Sequence, residues 1–210
     1  MPASQSTLKR SDKADASRAR IMNAAAKLFR DKGYAEVNLR DIAAASGMQA
    51  GSLYYHFDSK EAIVTEILDA GIEAVHGEVE AAINALPSNS SGAELIQVAI
   101  VTHLRSLYEF SHYTSANVRI YSQVPSQVRK ANLKARKTYE ALWGEILSKA
   151  AALGAIRDGI DLKRYRLLLI SSMNATLEWF DPRRGNLNEM ASDYAAIMLN
   201  GLLPDKKSKS

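Results

Sequence analysis

The chain contains no cysteine, and that absence excludes disulfides, thiolate metal sites and cysteine nucleophiles. A reducing compartment is the simplest setting for such a chain, and the expected address is the cytoplasm. Proline (5) and glycine (11) are scarce in 210 residues, whereas alanine and leucine abound, a balance that favours helices over strands and turns. No window approaches eighteen uninterrupted apolar residues, so no membrane span is expected, and no apolar run of signal-peptide length follows Lys9, Arg10 and Lys13. The sequons Asn89-Ser90-Ser91 and Asn174-Ala175-Thr176 therefore carry no weight. The four histidines (His56, His76, His103, His112) show no metal-ligand spacing, and there is neither a Gly-rich phosphate loop nor a nucleophile elbow, so no enzyme and no cofactor is expected.

What is present is an uneven distribution of charge. Up to Arg40 the bases Lys9, Arg10, Lys13, Arg18, Arg20, Lys27, Arg30, Lys32 and Arg40 outnumber Asp12, Asp15, Asp31 and Glu36. From Glu61 to Val124 acidic residues dominate, with only Arg105 and Arg119 opposing them. A basic end suits a polyanion, and the middle does not.

Periodicity predicts an all-α chain of about nine helices. Residues 1–14 read as a basic, disordered arm. Ile21, Ala25, Leu28 and Phe29 lie at helical spacing up to Gly33, predicting a first helix over about 16–32. Asn38 with Asp41 caps a short second helix that stops at Ser46-Gly47, and a third runs from Met48-Gln49 to near Phe57. Asp58 with Glu61 is read as the capping box of a long fourth helix ending before Pro87. Further helices are predicted over about 93–111, 117–123, 125–153, 162–180 and from Asn186 to Leu202, followed by a basic tail over 205–210.

Two short helices joined by a tight turn and backed by a third form a helix-turn-helix unit. On its last helix Leu53 and Phe57 share the core face. Gln49, Ser52, Tyr54, Tyr55 and His56 carry hydrogen-bonding tips suited to phosphates and base edges of double-stranded DNA, with the charges of Arg40 and Lys60 beside them. The stretch over residues 19–68, and above all "DIAAASG" followed by "GSLYYHFDSKEAI", closely resembles the DNA-binding domain of the TetR family of transcriptional repressors. The resemblance implies a homodimer with a DNA-binding domain over 15–62 and a ligand-binding and dimerisation domain over 63–204. It also implies base or phosphate contacts from Gln49, Ser52, Tyr54, Tyr55 and His56 with Asn38, Arg40 and Lys60 on the DNA backbone, release from a palindromic operator by a hydrophobic effector, and repression as the function.

From Ser172 onward the chain is similar to members of that family that sense acyl-coenzyme A thioesters. Their loop Trp-Tyr-x-Pro-Gly-Gly corresponds here to Trp179-Phe180-Asp181-Pro182-Arg183-Arg184-Gly185, and the two arginines depart from it. An acyl-CoA needs an apolar tunnel and cations for its phosphates. Candidates for the tunnel are Leu104, Leu107, Tyr108, Tyr121, Trp143, Met173 and Trp179. For the phosphates they are Arg129, Lys130, Lys134, Arg136 and Lys137, with Arg183 and Arg184. The apolar run Leu167–Phe180, together with the last helix, is the expected dimer seam. The alternative reading is a helical DNA-binding or adaptor protein that takes no ligand.

Overall fold

The structure, a computed structural model, describes residues 4–110 and 112–200. The described residues form nine α-helices and one π-helical turn, with no strand among them. In order these are α1 (Ser4–Lys32), α2 (Leu39–Ala45), α3 (Ala50–Leu53), α4 (Lys60–Asn84), α5 (Gly92–Arg105), the π turn Ser106–Phe110, α6 (His112–Ile120), α7 (Ser126–Ala152), α8 (Leu162–Trp179) and α9 (Leu187–Asn200). Packing groups them into two compact units. The first is Met1–Ala74 with Ser111–Arg136, and the second is Val75–Phe110 with Lys137–Ser210. A linear division at residue 62 misses this grouping, because α6 returns to pack along α1.

Local chemistry accounts for most of the boundaries. The backbone is helical from Ser4, where an arm to residue 14 was expected. No proline or glycine interrupts the chain between Pro2 and Gly33, and Ala, Lys, Arg and Leu are good helix formers. The side chains of Lys9, Arg10 and Lys13, like the tail over 205–210, lie outside the described ones. Gly33 ends α1 at φ +84°, its N–H bonded to the Phe29 carbonyl at 2.9 Å. Asn38 caps α2 as expected: its Oδ1 accepts from the N–H groups of Arg40 (2.9 Å) and Asp41 (3.0 Å), and Asp41 reciprocates to the Asn38 N–H.

The start of α4 differs from expectation. Ser59, not Asp58, supplies the cap, its Oγ accepting from the Ala62 N–H at 3.1 Å. The Glu61 carboxylate is taken by the Tyr34 hydroxyl at 2.8 Å. Two caps went unread in the sequence, Ser91 with Glu94 at α5 and Asp161 at α8. The third helix is also shorter than expected; after Leu53 the chain passes into a turn in which the N–H groups of His56 and Phe57 both reach the Leu53 carbonyl.

The core of the first unit gathers Ile21, Phe29, Ile42, Leu53, Phe57, Ile63, Ile67 and Ile120, all buried. Gly71 on α4 meets α6 so closely that a Cβ there would lie 2.5 Å from the Tyr113 carbonyl oxygen and 2.9 Å from Asn117 Cβ. In the second unit α5 packs on α9, where Ala191 and Ala195 are fully buried, and Trp143, Leu147, Leu169 and Met173 fill the interior.

Glycines on one helix therefore respond oppositely to the same change. Gly71→Ala drives the new methyl into the Tyr113 carbonyl and is expected to destabilise the chain by about 1–3 kcal/mol. Gly77→Ala has open space around it and should stabilise by about 0.5–1 kcal/mol through helix propensity. Urea unfolding of the two variants checks the opposite signs.

Candidate DNA-reading surface and the polar interior

The candidate surface is built on a helix of one turn. Leu53 and Phe57 are buried, and the Arg18 guanidinium from α1 sits 4.3 Å from the Phe57 ring centroid while pairing with Glu66 of α4. These contacts fix the inner side of α3. On the outer side Gln49 and Ser52 are exposed, Tyr54 is 56% exposed and Tyr55 79% exposed. His56 is half-buried, its ring edge-on to Tyr55 with centroids 5.3 Å apart. Amphipathic rings left in water on a short helix are suited to a groove lined with donors, acceptors and phosphates. Arg40 is exposed in the first turn of α2, next to Asn38, whose oxygen is occupied by the cap.

Lys60 departs from its expected place among these groups. Its Nζ donates to the carbonyls of Tyr34 and Val37, each at 2.6 Å, and lies 3.9 Å from the Tyr34 ring centroid. Burial lowers its pKa from the ordinary lysine value. Tyr34 itself is buried, and desolvation together with the Glu61 bond raises the pKa of its hydroxyl.

The residues expected at a ligand fall into separate settings. Leu104, Leu107, Trp143 and Met173 are buried in the second unit. Tyr108, in the π turn, donates its hydroxyl to Thr176 Oγ1 at 3.0 Å and meets the Phe180 ring edge-on at 5.4 Å. Trp179 is 63% exposed. Arg183 and Arg184 fold back on Asp181, at 2.8 and 3.8 Å, and the Arg183 bonds pull that carboxyl down to about 2. Tyr121 and Arg129, by contrast, belong to the first unit. The Tyr121 ring lies 3.4 Å beneath the Arg136 guanidinium, and Arg129 donates to the Val124 carbonyl at 2.5 Å. Lys130, Lys134 and Lys137 are exposed. A cleft of about 560 Å³ in the second unit is lined by Ile96, Ile156, Ile160, Tyr165, Ile197 and Met198 among others, and by none of the expected ligand residues.

Two polar clusters bring together residues that the sequence reading did not pair. In the first unit Asn132 donates to Asp69 Oδ1 (2.6 Å) and accepts from Arg136 Nε (2.9 Å), while Arg136 also donates to Asn117 Oδ1 (2.7 Å) and Asn117 to the Leu68 carbonyl (2.6 Å). In the second, His103 lies fully buried between Tyr139 (Nδ1 to hydroxyl, 2.6 Å) and Asn174 (Nε2 to Oδ1, 3.1 Å). Asn174 Oδ1 only accepts, so Nε2 carries a proton, and in the neutral ring Nδ1 receives the tyrosine's hydrogen. Burial drives its pKa down to about 4. The available signal was a polar residue at core spacing, His103 beside Ile100 and Leu104 and Asn174 beside Met173 and Leu177. Among the described residues no group of His, Asp and Glu is placed to hold a metal, and no helix is long and apolar enough to cross a membrane.

Comparison with known proteins gives two family matches. Residues 21–67 match the model described as bacterial regulatory proteins, tetR family, and residues 89–202 match a tetracyclin repressor-like C-terminal domain. Over 195 residues the chain is 29% identical to the HTH-type transcriptional repressor KstR2 of Rhodococcus jostii (strain RHA1), covering 88% of this chain and 90% of that one. The crystal structure of PfmR, a TetR family transcriptional regulator from Thermus thermophilus, superposes with a TM-score of 0.75 at 26% identity, over 88% of this chain and 96% of the other. The structure of AibR in complex with isovaleryl coenzyme A and operator DNA superposes with a TM-score of 0.77 at 21% identity, over 89% and 100%.

The buried imidazole has a consequence for stability. Its pKa is depressed in the folded chain to about 4 from 6.5, so the unfolded chain takes up the proton first as pH falls. Stability is then lost progressively between pH 6.5 and 4, by about 3 kcal/mol in all. His103→Gln removes this component, and its unfolding free energy should vary less steeply with pH over that window. Equal slopes for variant and parent would show that His103 titrates normally when folded.

Proposed function

This chain belongs to the tetR family of bacterial regulatory proteins, and we propose that it is a homodimeric repressor released from a palindromic operator by an acyl-CoA thioester. DNA binding and transcriptional regulation follow from the family, and repression from the likeness to KstR2 along most of both chains. The observation that carries the DNA-reading part is the outward edge of α3. Gln49, Ser52, Tyr54 and Tyr55 are held in water by a helix whose Leu53, and whose following Phe57, are buried. Side chains of this kind contact base edges and phosphates in a major groove, and Arg40 adds charge beside them.

A single α3 reads only half a site. Leu167, Leu168, Trp179 and Ile197 are exposed apolar residues on α8 and α9, the chemistry of a two-fold, four-helix seam with a second copy. Two recognition helices about 34 Å apart then require a palindrome. The effector reading rests on AibR, solved in complex with isovaleryl coenzyme A and operator DNA, on the buried apolar residues Leu104, Leu107, Trp143 and Met173, and on the exposed Arg183 and Arg184 as partners for phosphate. Release follows if the thioester favours a dimer geometry whose recognition helices no longer match the operator spacing.

Selection from a random-sequence duplex library is expected to return a palindrome whose affinity falls steeply with salt as counterions are released. Recovery of no sequence, or binding that never saturates, would sink the repressor. Tyr55→Ala should weaken binding to the selected duplex about ten- to hundredfold, one groove contact being worth about 1–3 kcal/mol, with the dimer intact by sedimentation. In the same assay a panel of CoA thioesters should release the DNA; release by a CoA-free hydrophobe alone would remove the thioester from the reading.

A further inference from the structure

Among the described residues two buried side-chain nitrogens make no hydrogen bond, Trp143 Nε1 and Arg166 Nε. Arg166 is otherwise committed. Its terminal nitrogens hold the Glu140 carbonyl at 2.9 Å and the Glu140 carboxylate at 3.0 Å, and the residue is only partly buried. Trp143 is different: its indole is among the largest fully buried side chains of the protein, and the N–H is the one hydrogen-bonding group the ring has. Leaving such a donor unmatched in the interior costs more than an ordinary hydrogen bond returns, and buried polar groups are otherwise nearly always paired.

The polar groups around the indole are spent on one another. Nε1 is turned towards the Tyr139 hydroxyl without closing a bond on it, and that hydroxyl gives its hydrogen to His103 Nδ1 at 2.6 Å. His103 Nε2 meets Asn174 Oδ1 at 3.1 Å. The imidazole stacks on the Tyr139 ring at 5.9 Å and stands edge-on to the Trp143 ring at 6.2 Å, so both neighbours are fixed by contacts of their own. Farther along the same stretch Ser106 Oγ is taken by the Thr102 carbonyl at 2.8 Å and the Tyr108 hydroxyl by Thr176 Oγ1 at 3.0 Å. What is left is a single N–H donor, already out of water, in the unit that also buries Leu104, Leu107 and Met173. Its complement is an oxygen that accepts. A ligand amine would bring further donors to a site whose unmatched group is itself a donor.

We propose that Trp143 is the polar contact of the effector in the second unit, its Nε1–H donating to a carbonyl oxygen of the bound acyl group while His103, Tyr139 and Asn174 hold the surroundings of the indole in one arrangement. The inference rests on the acyl-CoA reading and adds to it the atom that the interior recognises. Two oxygens present that chemistry, the thioester carbonyl and a ketone farther along the acyl chain. The bond needs little preparation, because the donor is desolvated and held before the ligand arrives.

The test uses the full chain with octanoyl-CoA, its thioether counterpart S-octyl-CoA, which lacks the carbonyl, and octanoyl-CoA bearing a ketone at successive chain positions. Tryptophan occurs twice, so the chain labelled with nitrogen-15 shows two indole N–H resonances, and Trp179→Phe, at an exposed ring, leaves that of Trp143 alone. This resonance should move downfield on adding a carbonyl probe that makes the contact and stay in place with the thioether. Trp143→Phe keeps an aromatic ring and removes the donor. By calorimetry its affinity for that carbonyl probe should fall about three- to tenfold, the worth of one hydrogen bond, with the affinity for S-octyl-CoA unchanged. A loss already seen with octanoyl-CoA assigns the thioester oxygen, and a loss confined to one keto probe assigns the chain ketone. An equal loss for every probe including the thioether, or a Trp143 resonance that no probe shifts or that the thioether shifts equally, would overturn the contact. Should Trp143→Phe fail to fold, the resonance decides alone. A resonance that moves as expected while no thioester releases the DNA would count against the release mechanism and leave the contact standing.

Discussion

A helix of four residues has no stability of its own, since closing one turn costs more conformational entropy than its single hydrogen bond returns. Everything that α3 presents to the outside therefore depends on what holds its inner side. Leu53 and Phe57 bury themselves against α1 and α4 residues, and the Arg18 guanidinium closes over the Phe57 ring while its charge is met by Glu66. The result is a rigid platform from which Tyr54 and Tyr55 stand in water. Burial of two side chains, at about 1.5–3 kcal/mol each, is the scale on which such a platform is maintained. It is large compared with the few tenths that an isolated surface ion pair contributes.

The first unit is also tied by polar groups in its interior. The chain from Asp69 through Asn132 and Arg136 to Asn117 and the Leu68 carbonyl links α4, α6 and α7, with Asn117 and Asn132 buried. Buried amides are costly when unmatched, so this chain fixes one register of three helices more sharply than apolar packing does. Gly71 reinforces it by letting the α4 and α6 backbones approach to the distance at which Asn117 reaches the Leu68 carbonyl. In the second unit His103, Tyr139 and Asn174 do comparable work with a neutral imidazole at the centre.

Much of this was legible in the sequence, and the reasons are specific. Asn38 and Asp41 form a capping box because a local four-residue pattern is sufficient to satisfy its own backbone, and Leu53 and Phe57 read as core because four-residue spacing places them on one face. The inward hydrogen bonds of Lys60 were not foreseen because its two carbonyl partners are more than twenty residues away, and no local pattern reports them. Ser59 displaced Asp58 as the cap at α4, and its neighbour Glu61 was taken by Tyr34, again a distant partner. Tyr121, expected in the tunnel, and Arg129, expected at the phosphates, stand apart from Leu104, Trp143 and Met173 for a related reason. Side-chain chemistry suggested a tunnel, but the packing of α6 on α1 assigns both residues to the first unit. Periodicity finds a helix's faces and does not say which partner each face meets.

The division of the chain also constrains how a signal can travel. It passes between units three times, at residues 74–75, 110–111 and 136–137, and the first and last of these crossings lie inside the continuous helices α4 and α7. Leu68 and Asp69 stand six and five residues before one crossing, and Arg136 immediately before the other, so the buried amide chain holds both helices where they leave the first unit. A helix transmits displacement along its axis because its backbone bonds resist stretching, whereas a fully matched polar network resists small shifts and yields only by exchanging partners. Those hydrogen bonds tie α4 and α7 to each other and to α6 on the first-unit side of their crossings. These ties are made by side chains in the interior of the first unit, and the exposed residues of α3 take no part in them.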